Sequence, residues 1–162
     1  MRGWMLACVM LLSAAAMPAL AQQIKDADTI RKELGIGAAD RTRGVGLVPS
    51  RGATATLDVL FTPGSSNLTS LGRAQLDQLG EALKPDSHRF RIEGHTDTTG
   101  PAQANLVLSQ RRAEAVVTYL VTRHGIDRGR LEAVGMGEQG LAIPTADQVA
   151  EPRNRRVAVV KL

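Results

Sequence analysis

Two amphipathic helix patterns, each preceded by a strand pattern, dominate the chain after residue 53. The first helix is predicted between a capping threonine, Thr69, and the helix-breaking Pro85. The second is predicted to end at Gly125. Its apolar stripe has helical spacing and consists of Ala113, Val116, Val117, Leu120 and Val121. Such helices need another layer to cover their apolar faces.

Four segments carry strand patterns and supply that layer. They are Ala53 to Phe61, Arg89 to Glu93, Arg130 to Val134 and Arg156 to Leu162. The element order is therefore β-α-β-α-β-β. We predict an α+β domain over residues 53–162, a two-layer sandwich in which two helices pack on a mixed four-stranded sheet.

The N-terminus has the anatomy of a secretory signal peptide. Arg2 precedes an apolar run from Trp4 to Met17, and a small-x-small triplet ends at Ala21. We predict a signal peptide at 1–21 with cleavage after Ala21, and hence export from the cytoplasm. An uncleaved anchor is one alternative. A lipoprotein is another, but little hydrophobic sequence precedes Cys8, the only cysteine.

Residues 22–52 are predicted to form a linker, because charged residues alternate with glycines there, with a short helix near Asp28 to Leu34. The chain is basic, with a net charge of +4, which favours an anionic polymer as partner. Nucleic acid is excluded as that partner, because aromatic residues make up only 2% of an exported chain.

Polar residues cluster at the entrance and on the first turns of the long helix. The turn Gly94 to Gly100 lies where a strand ends and this helix begins, a common position for binding loops. Asn105 and the segment Leu108 to Ala113 follow on the helix. A second polar run, Asn154 to Val157, enters the last strand.

These segments resemble the OmpA-like peptidoglycan-associated domain family. The matching residues are Gly94-His95-Thr96-Asp97, Gly100, Asn105, Leu108-Ser109, Arg112-Ala113, Val116, Gly125-Ile126, Gly135 to Glu138 and Asn154 to Val157. Upstream, Phe61 and the segment from Ser65 to Thr69 look like the family's entry to its first helix. The resemblance covers roughly Ala53 to Leu162.

The resemblance implies noncovalent binding of peptidoglycan through the diaminopimelate of the stem peptide, whose free end carries an ammonium and a carboxylate. Asp97 would accept hydrogen bonds from the ammonium, and Arg112 would clamp the carboxylate. Asp97 and Arg112 would also compensate each other before ligand arrives. Arg155 is a second predicted contact. Asn105 and Asn154 would fix loops or bond the peptide backbone.

The chain departs from the family pattern between Gly140 and Arg153. The family commonly has an Asn-rich turn and a Gly-Arg pair there, whereas this chain has Gln148, Ala150, Glu151 and Pro152. An arginine position has therefore become acidic. The departure affects the contacts expected on that side of the pocket.

Several of these residues also have structural roles as alternatives to binding. Asp97 can satisfy the amides of its own loop, Arg112 can be a solvated helix arginine near Glu114, and Ser109 is predicted to bond backbone. Phe61 is predicted to be a core residue, because the chain has few aromatic residues to fill its interior.

Enzyme and cofactor sites lack the required spacing, so we predict no enzyme, no cofactor and no metal. Ser109 with His95 and Asp97 has no nucleophile-elbow glycines, and His88, His95 and His124 lie on three separate segments. The Gly135-x-Gly137-x-x-Gly140 pattern resembles a dinucleotide fingerprint, but no helix can start at Ala142-Ile143-Pro144.

A module that docks on an outer-membrane or other envelope protein, without glycan binding, remains the alternative function. Both functions predict a periplasmic protein, with a peripheral position at the outer membrane as one possibility for its attachment.

Overall fold

The computed structural model describes residues 24–37, 52–58 and 60–162. The predicted signal peptide at 1–21, Cys8 and most of the predicted linker lie outside these ranges. The helices and strands are α1 Ala27–Glu33, β1 Thr54–Asp58, α2 Ser70–Leu83, β2 Phe90–His95, α3 Ala102–His124, β3 Leu131–Gly137 and β4 Arg156–Lys161. Two short 3-10 helices span Arg128–Arg130 and Pro152–Asn154. No helix in the described ranges is long and apolar enough to cross a membrane.

The four strands form one mixed sheet in the order β1-β4-β2-β3. Strand β4 is antiparallel to both of its neighbours, while β2 and β3 are parallel. Alternate residues bury one face, as in the row of paired residues Ala55, Val159, Ile92 and Ala133. The predicted α+β class with a mixed four-stranded sheet is confirmed.

The start of α2 and the end of α3 lie at the residues that their sequence signals predict. The hydroxyl of Thr69 accepts a hydrogen bond of 2.8 Å from the Gly72 amide and caps the start of α2. Gly125 has a φ of 67°, a left-handed conformation that suits glycine, and ends α3. Helices α2 and α3 share one core with the inner face of the sheet.

A third helix, α1, packs on this core from within the predicted linker range, where only a short helix was expected. Ile30 and Leu34 are fully buried. The Ala27 amide donates a hydrogen bond of 3.1 Å to the Gln78 side chain of α2. The layer on the sheet therefore contains three helices instead of the predicted two.

Two glycines let α3 approach the sheet closely. Gly94 and Gly135 are paired neighbours on β2 and β3. A Cβ at Gly94 would lie 2.2 Å from the Ser109 carbonyl oxygen, and one at Gly135 would lie 2.6 Å from the Gln110 amide nitrogen. This contact fixes the start of α3 above the ends of β2 and β3.

Candidate functional site

Sheet topology brings the two polar motifs of the sequence together. Because β4 is antiparallel to β2, the start of β4 lies beside the end of β2. The loop after β2 carries Asp97, and the residue just before β4 is Arg155. The two side chains form an ion pair of 2.6 Å between Arg155 Nη1 and Asp97 Oδ2, although 58 positions separate them.

Asp97 is buried, with 4% of its surface exposed, and its carboxylate is well bonded. Its Oδ1 accepts hydrogen bonds from the Thr99 hydroxyl at 2.5 Å and the Thr99 amide at 3.3 Å. Burial alone would raise the pKa of Asp97, but hydrogen bonds from Thr99 and Arg155 together outweigh it and hold the pKa below its ordinary value. The carboxylate is therefore charged at neutral pH.

Arg112 on α3 is a buried cation with unused donors. It is 5% exposed, so the alternative of a solvated helix arginine is wrong. Its Nε donates to the Ser65 carbonyl at 2.9 Å, and its guanidinium lies 5.2 Å from the centre of the Phe61 ring. Burial, together with the nearby charge of Arg155, lowers the pKa of Arg112, and Asp97 opposes this effect.

Arg155 forms the ion pair with Asp97, so the expected mutual compensation of Asp97 and Arg112 is part of a triad of charges. Within the described residues the ion-pair partner of Asp97 is Arg155, while Arg112 is anchored by a backbone carbonyl. The triad contains two guanidinium groups and one carboxylate, so it keeps one excess positive charge. Among the described contacts, the terminal nitrogens of Arg112 have no protein partner.

These three side chains line one cavity of about 300 Å³. Its remaining lining residues are Pro63, Gly64, Thr96, Thr99, Asn105 and Leu108. A cavity of this size accommodates an amino-acid-sized group, and its charges suit one that carries both an ammonium and a carboxylate. We call it the charged cavity below.

The two predicted asparagines have different places. Asn105 lines the charged cavity, and its amide donates to the Thr99 carbonyl at 2.9 Å and to Glu138 Oε1 at 2.8 Å. Asn154 is fully buried and is not among the residues that line this cavity. Both of its side-chain atoms bond the backbone of Ile143, each at 2.9 Å. Asn154 therefore fixes the segment before β4.

Two further residues, to which the sequence assigned no role of their own, tie the site loops together. The buried Thr98 hydroxyl donates to the Ala146 carbonyl at 2.8 Å and accepts from the Val149 amide at 3.1 Å. The Gln148 side chain bonds both the amide and the carbonyl of Gly100, at 2.9 and 3.1 Å. The segment that departs from the family pattern thus still clamps the loop that bears Asp97.

Glu151, the acidic residue in that departing segment, bonds its own neighbour. Its carboxylate accepts from Arg153 Nε and Nη2, each at 3.0 Å, and from the Arg153 amide. These hydrogen bonds lower the pKa of Glu151 to about 2. Pro152 follows and begins the short 3-10 helix that leads to Arg155.

The residues considered for catalysis or metal binding have separate partners. The buried Ser109 hydroxyl donates to the Leu106 carbonyl and accepts from the Gly137 amide, both at 2.8 Å, which confirms its predicted structural role. His95 Nδ1 lies 3.0 Å from the Gln139 carbonyl, and His124 bonds Asp77. The described part of the chain contains no group of three or more metal-ligating side chains.

The region that matches known proteins includes all the residues of the charged cavity. The sequence model of the OmpA family matches residues 60–155. The chain is 37% identical over 102 residues to outer membrane porin F of Pseudomonas aeruginosa, a match that covers 62% of this chain and 29% of the porin. It is 36% identical over 101 residues to the peptidoglycan-associated lipoprotein of that species, covering 62% of this chain and 60% of the lipoprotein.

A solved structure agrees with these sequence matches. The peptidoglycan-associated lipoprotein of Burkholderia pseudomallei superimposes with a TM-score of 0.56 at 30% identity, covering 66% of this chain and 89% of that structure. The porin and the lipoprotein of Pseudomonas aeruginosa, by contrast, are matched over less than two thirds of their own length.

Proposed function

Because this chain belongs to the OmpA family, we propose that it binds peptidoglycan noncovalently in the bacterial envelope. The charged cavity holds the free end of diaminopimelate, with its ammonium at Asp97 and its carboxylate at Arg112. Relatives named as peptidoglycan-associated lipoproteins support peptidoglycan as the ligand. Relatives named as outer membrane proteins support a periplasmic location near that membrane. The role is binding and not catalysis.

The observation that carries the proposal is the charge triad, in which Asp97 and Arg112 are buried and hydrogen-bonding capacity is unused. A carboxylate can accept about four hydrogen bonds. Asp97 receives two at Oδ1 and one at Oδ2, which leaves Oδ2 one further acceptor site for an ammonium. The terminal nitrogens of Arg112 form a planar fork that matches a carboxylate.

Burial makes these contacts selective. Charges removed from water are costly unless they are paired, so a ligand that offers only one of the two groups leaves part of the triad poorly compensated. Diaminopimelate presents both groups on one carbon, whereas the side chain of lysine ends in an ammonium alone. We expect free diaminopimelate to displace bound sacculi. Nα-acetyl-lysinamide, whose only charge is the side-chain ammonium, should leave them bound.

The test is cosedimentation of the chain from Gln22 onward with purified diaminopimelate-type sacculi. Asp97→Asn and Arg112→Ala should each weaken binding by more than about tenfold, because each removes the protein group that pairs with one charge of the bound ligand. Asp147→Asn and Arg111→Ala make the same charge changes at exposed positions and serve as matched controls. Circular dichroism checks that each variant is folded.

Two outcomes would contradict this function: native protein that stays in the supernatant, or site variants that sediment like their controls. The first outcome would favour the second candidate, a module that docks on another envelope protein. The exposed side chains of Leu106 and Val107, 40% and 42% accessible on α3, favour that candidate. A protein-docking module would not sediment with purified wall.

A further inference from the structure

A second cavity of about 280 Å³ adjoins the charged cavity and shares Pro63, Arg112 and Arg155 with it. Its other lining residues are Leu60, Phe61, Thr62, Thr69 and Pro152. A ligand held at Arg112 can therefore extend into this second cavity without leaving the protein surface. We call it the apolar cavity.

Apart from the Thr62 hydroxyl at its rim, the walls of the apolar cavity away from the two guanidinium groups offer little hydrogen bonding. Leu60 is buried, Pro63 and Pro152 have no amide hydrogen, and the Phe61 ring packs under the Arg112 guanidinium. A polar group placed against such walls would lose its bonds to water without replacement, whereas a small alkyl group gains from burial. Only the guanidinium edge of the cavity is charged.

Charge balance adds a second requirement on the occupant. Asp97, Arg112 and Arg155 together carry one excess positive charge, and the zwitterionic end of diaminopimelate is neutral. Arg155 uses one of its five N–H donors on Asp97, and its side chain is 42% exposed. A second ligand carboxylate at Arg155 would balance the charge of these three side chains.

We propose that the apolar cavity is a subsite for the alanine that follows diaminopimelate in the stem peptide. The alanine methyl group lies against Leu60, Phe61 and Pro152, and its terminal carboxylate bonds Arg155. This inference rests on the proposed function, and it narrows the ligand to stem peptides that end in alanine. Pro152 belongs to the segment in which this chain departs from its family's pattern.

Calorimetry with three soluble stem peptides tests the subsite on the native chain. They carry diaminopimelate followed by D-alanine, by glycine or by D-alaninamide. Burial of the methyl group predicts about three- to fourfold tighter binding of the alanine peptide than of the glycine peptide. Loss of the terminal charge predicts about tenfold weaker binding of the alaninamide peptide.

A variant that blocks the apolar cavity gives a second test of the subsite. Thr62 has an exposed side chain at the rim, and Thr62→Trp should bring the alanine-to-glycine affinity ratio to about one. Thr118→Trp, at an exposed position on α3, should keep the native ratio. Equal native affinity for the three peptides overturns the subsite but leaves the proposed function standing. If native protein binds neither these peptides nor free diaminopimelate, the proposed function itself fails.

Discussion

His95 is a buried, neutral histidine at the end of β2. Its side chain is 4% exposed, and its Nδ1 lies 3.0 Å from the Gln139 carbonyl. Burial, with a contribution from the nearby charge of Arg156, lowers the pKa of His95 from 6.5 to about 4, and the contact with Gln139 opposes this. Glu93, at 3.9 Å from Nε2, does not reverse the shift.

This shift predicts a loss of stability in mild acid. The unfolded chain takes up the histidine proton at higher pH than the folded chain, so the contribution of His95 to the free energy of unfolding should fall as pH falls from 6.5 to about 4 and then level off. We expect His95 to account for about 2 kcal/mol of the decline. Urea unfolding of native protein and of His95→Gln across this pH range measures the contribution of His95. It is the difference between the falls in the free energy of unfolding of the two proteins.

His88→Gln is the control, because the His88 side chain is 48% exposed. Its partner is the Asp86 carboxylate, whose pKa is lowered, so the comparison is made above about pH 4.5, where that carboxylate stays charged. This variant should retain the native decline. An equal decline in His95→Gln and native protein would show that other groups cause the acid sensitivity.

Residue identity could be predicted at the site, but pairing could not. Asp97 and Arg112 were expected to compensate each other, whereas the partner of Asp97 is Arg155. The reason is that Arg112 bonds the Ser65 carbonyl, 47 positions away, and no local pattern indicates that contact. Asn154 shares this difficulty, since its backbone partner follows from loop packing alone. The binding roles of these residues stay predictions.

At the scale of elements, the closest helix-to-sheet contact determines where the site forms. Gly94 and Gly135 leave room for the backbone of α3 at Ser109 and Gln110. This contact places Asn105 and Arg112 of α3 beside the loop that follows β2.

Gly94→Ala should therefore be strongly destabilising. Its Cβ would lie 2.2 Å from the Ser109 carbonyl oxygen, and rigid backbone on both sides prevents an easy adjustment. We expect the free energy of unfolding to fall by about 3 kcal/mol or more in chemical denaturation. Gly129→Ala is the control, because its nearest neighbour would be 3.5 Å away, and it should change stability by less than about 1 kcal/mol. A near-native stability of Gly94→Ala would contradict the close contact.

Element order was predictable because each long helix and each strand carries its own periodic pattern. The packing of α1 was less accessible. This helix has only seven residues, and its buried contacts come down to Ile30 and Leu34, one turn apart. So short a repeat is common in linkers as well, and burial appears only once α2 provides the surface beneath it.

At the scale of the whole molecule, the site joins segments that are distant in sequence. The chain leaving β1 supplies Phe61 and Pro63, and the loop after β2 supplies Asp97. The segment before β4 supplies Arg155, and helix α3 supplies Arg112. All of them meet at one end of the sheet, because β1 and β2 end where β4 begins.

A ligand bound there should stabilise the complete fold. Binding to the folded state alone contributes about 2.7 kcal/mol when the ligand concentration is about one hundred times its dissociation constant. We therefore expect diaminopimelate to raise the Tm of the native chain in a saturable way, as measured by scanning calorimetry. Asp97→Asn removes the carboxylate that joins Arg155 to the ligand ammonium, so at the same ligand concentration its Tm should rise by no more than about half as much. The control Asp147→Asn should respond like native protein. An equal rise in Asp97→Asn would mean that the ligand stabilises the fold from somewhere other than the charged cavity.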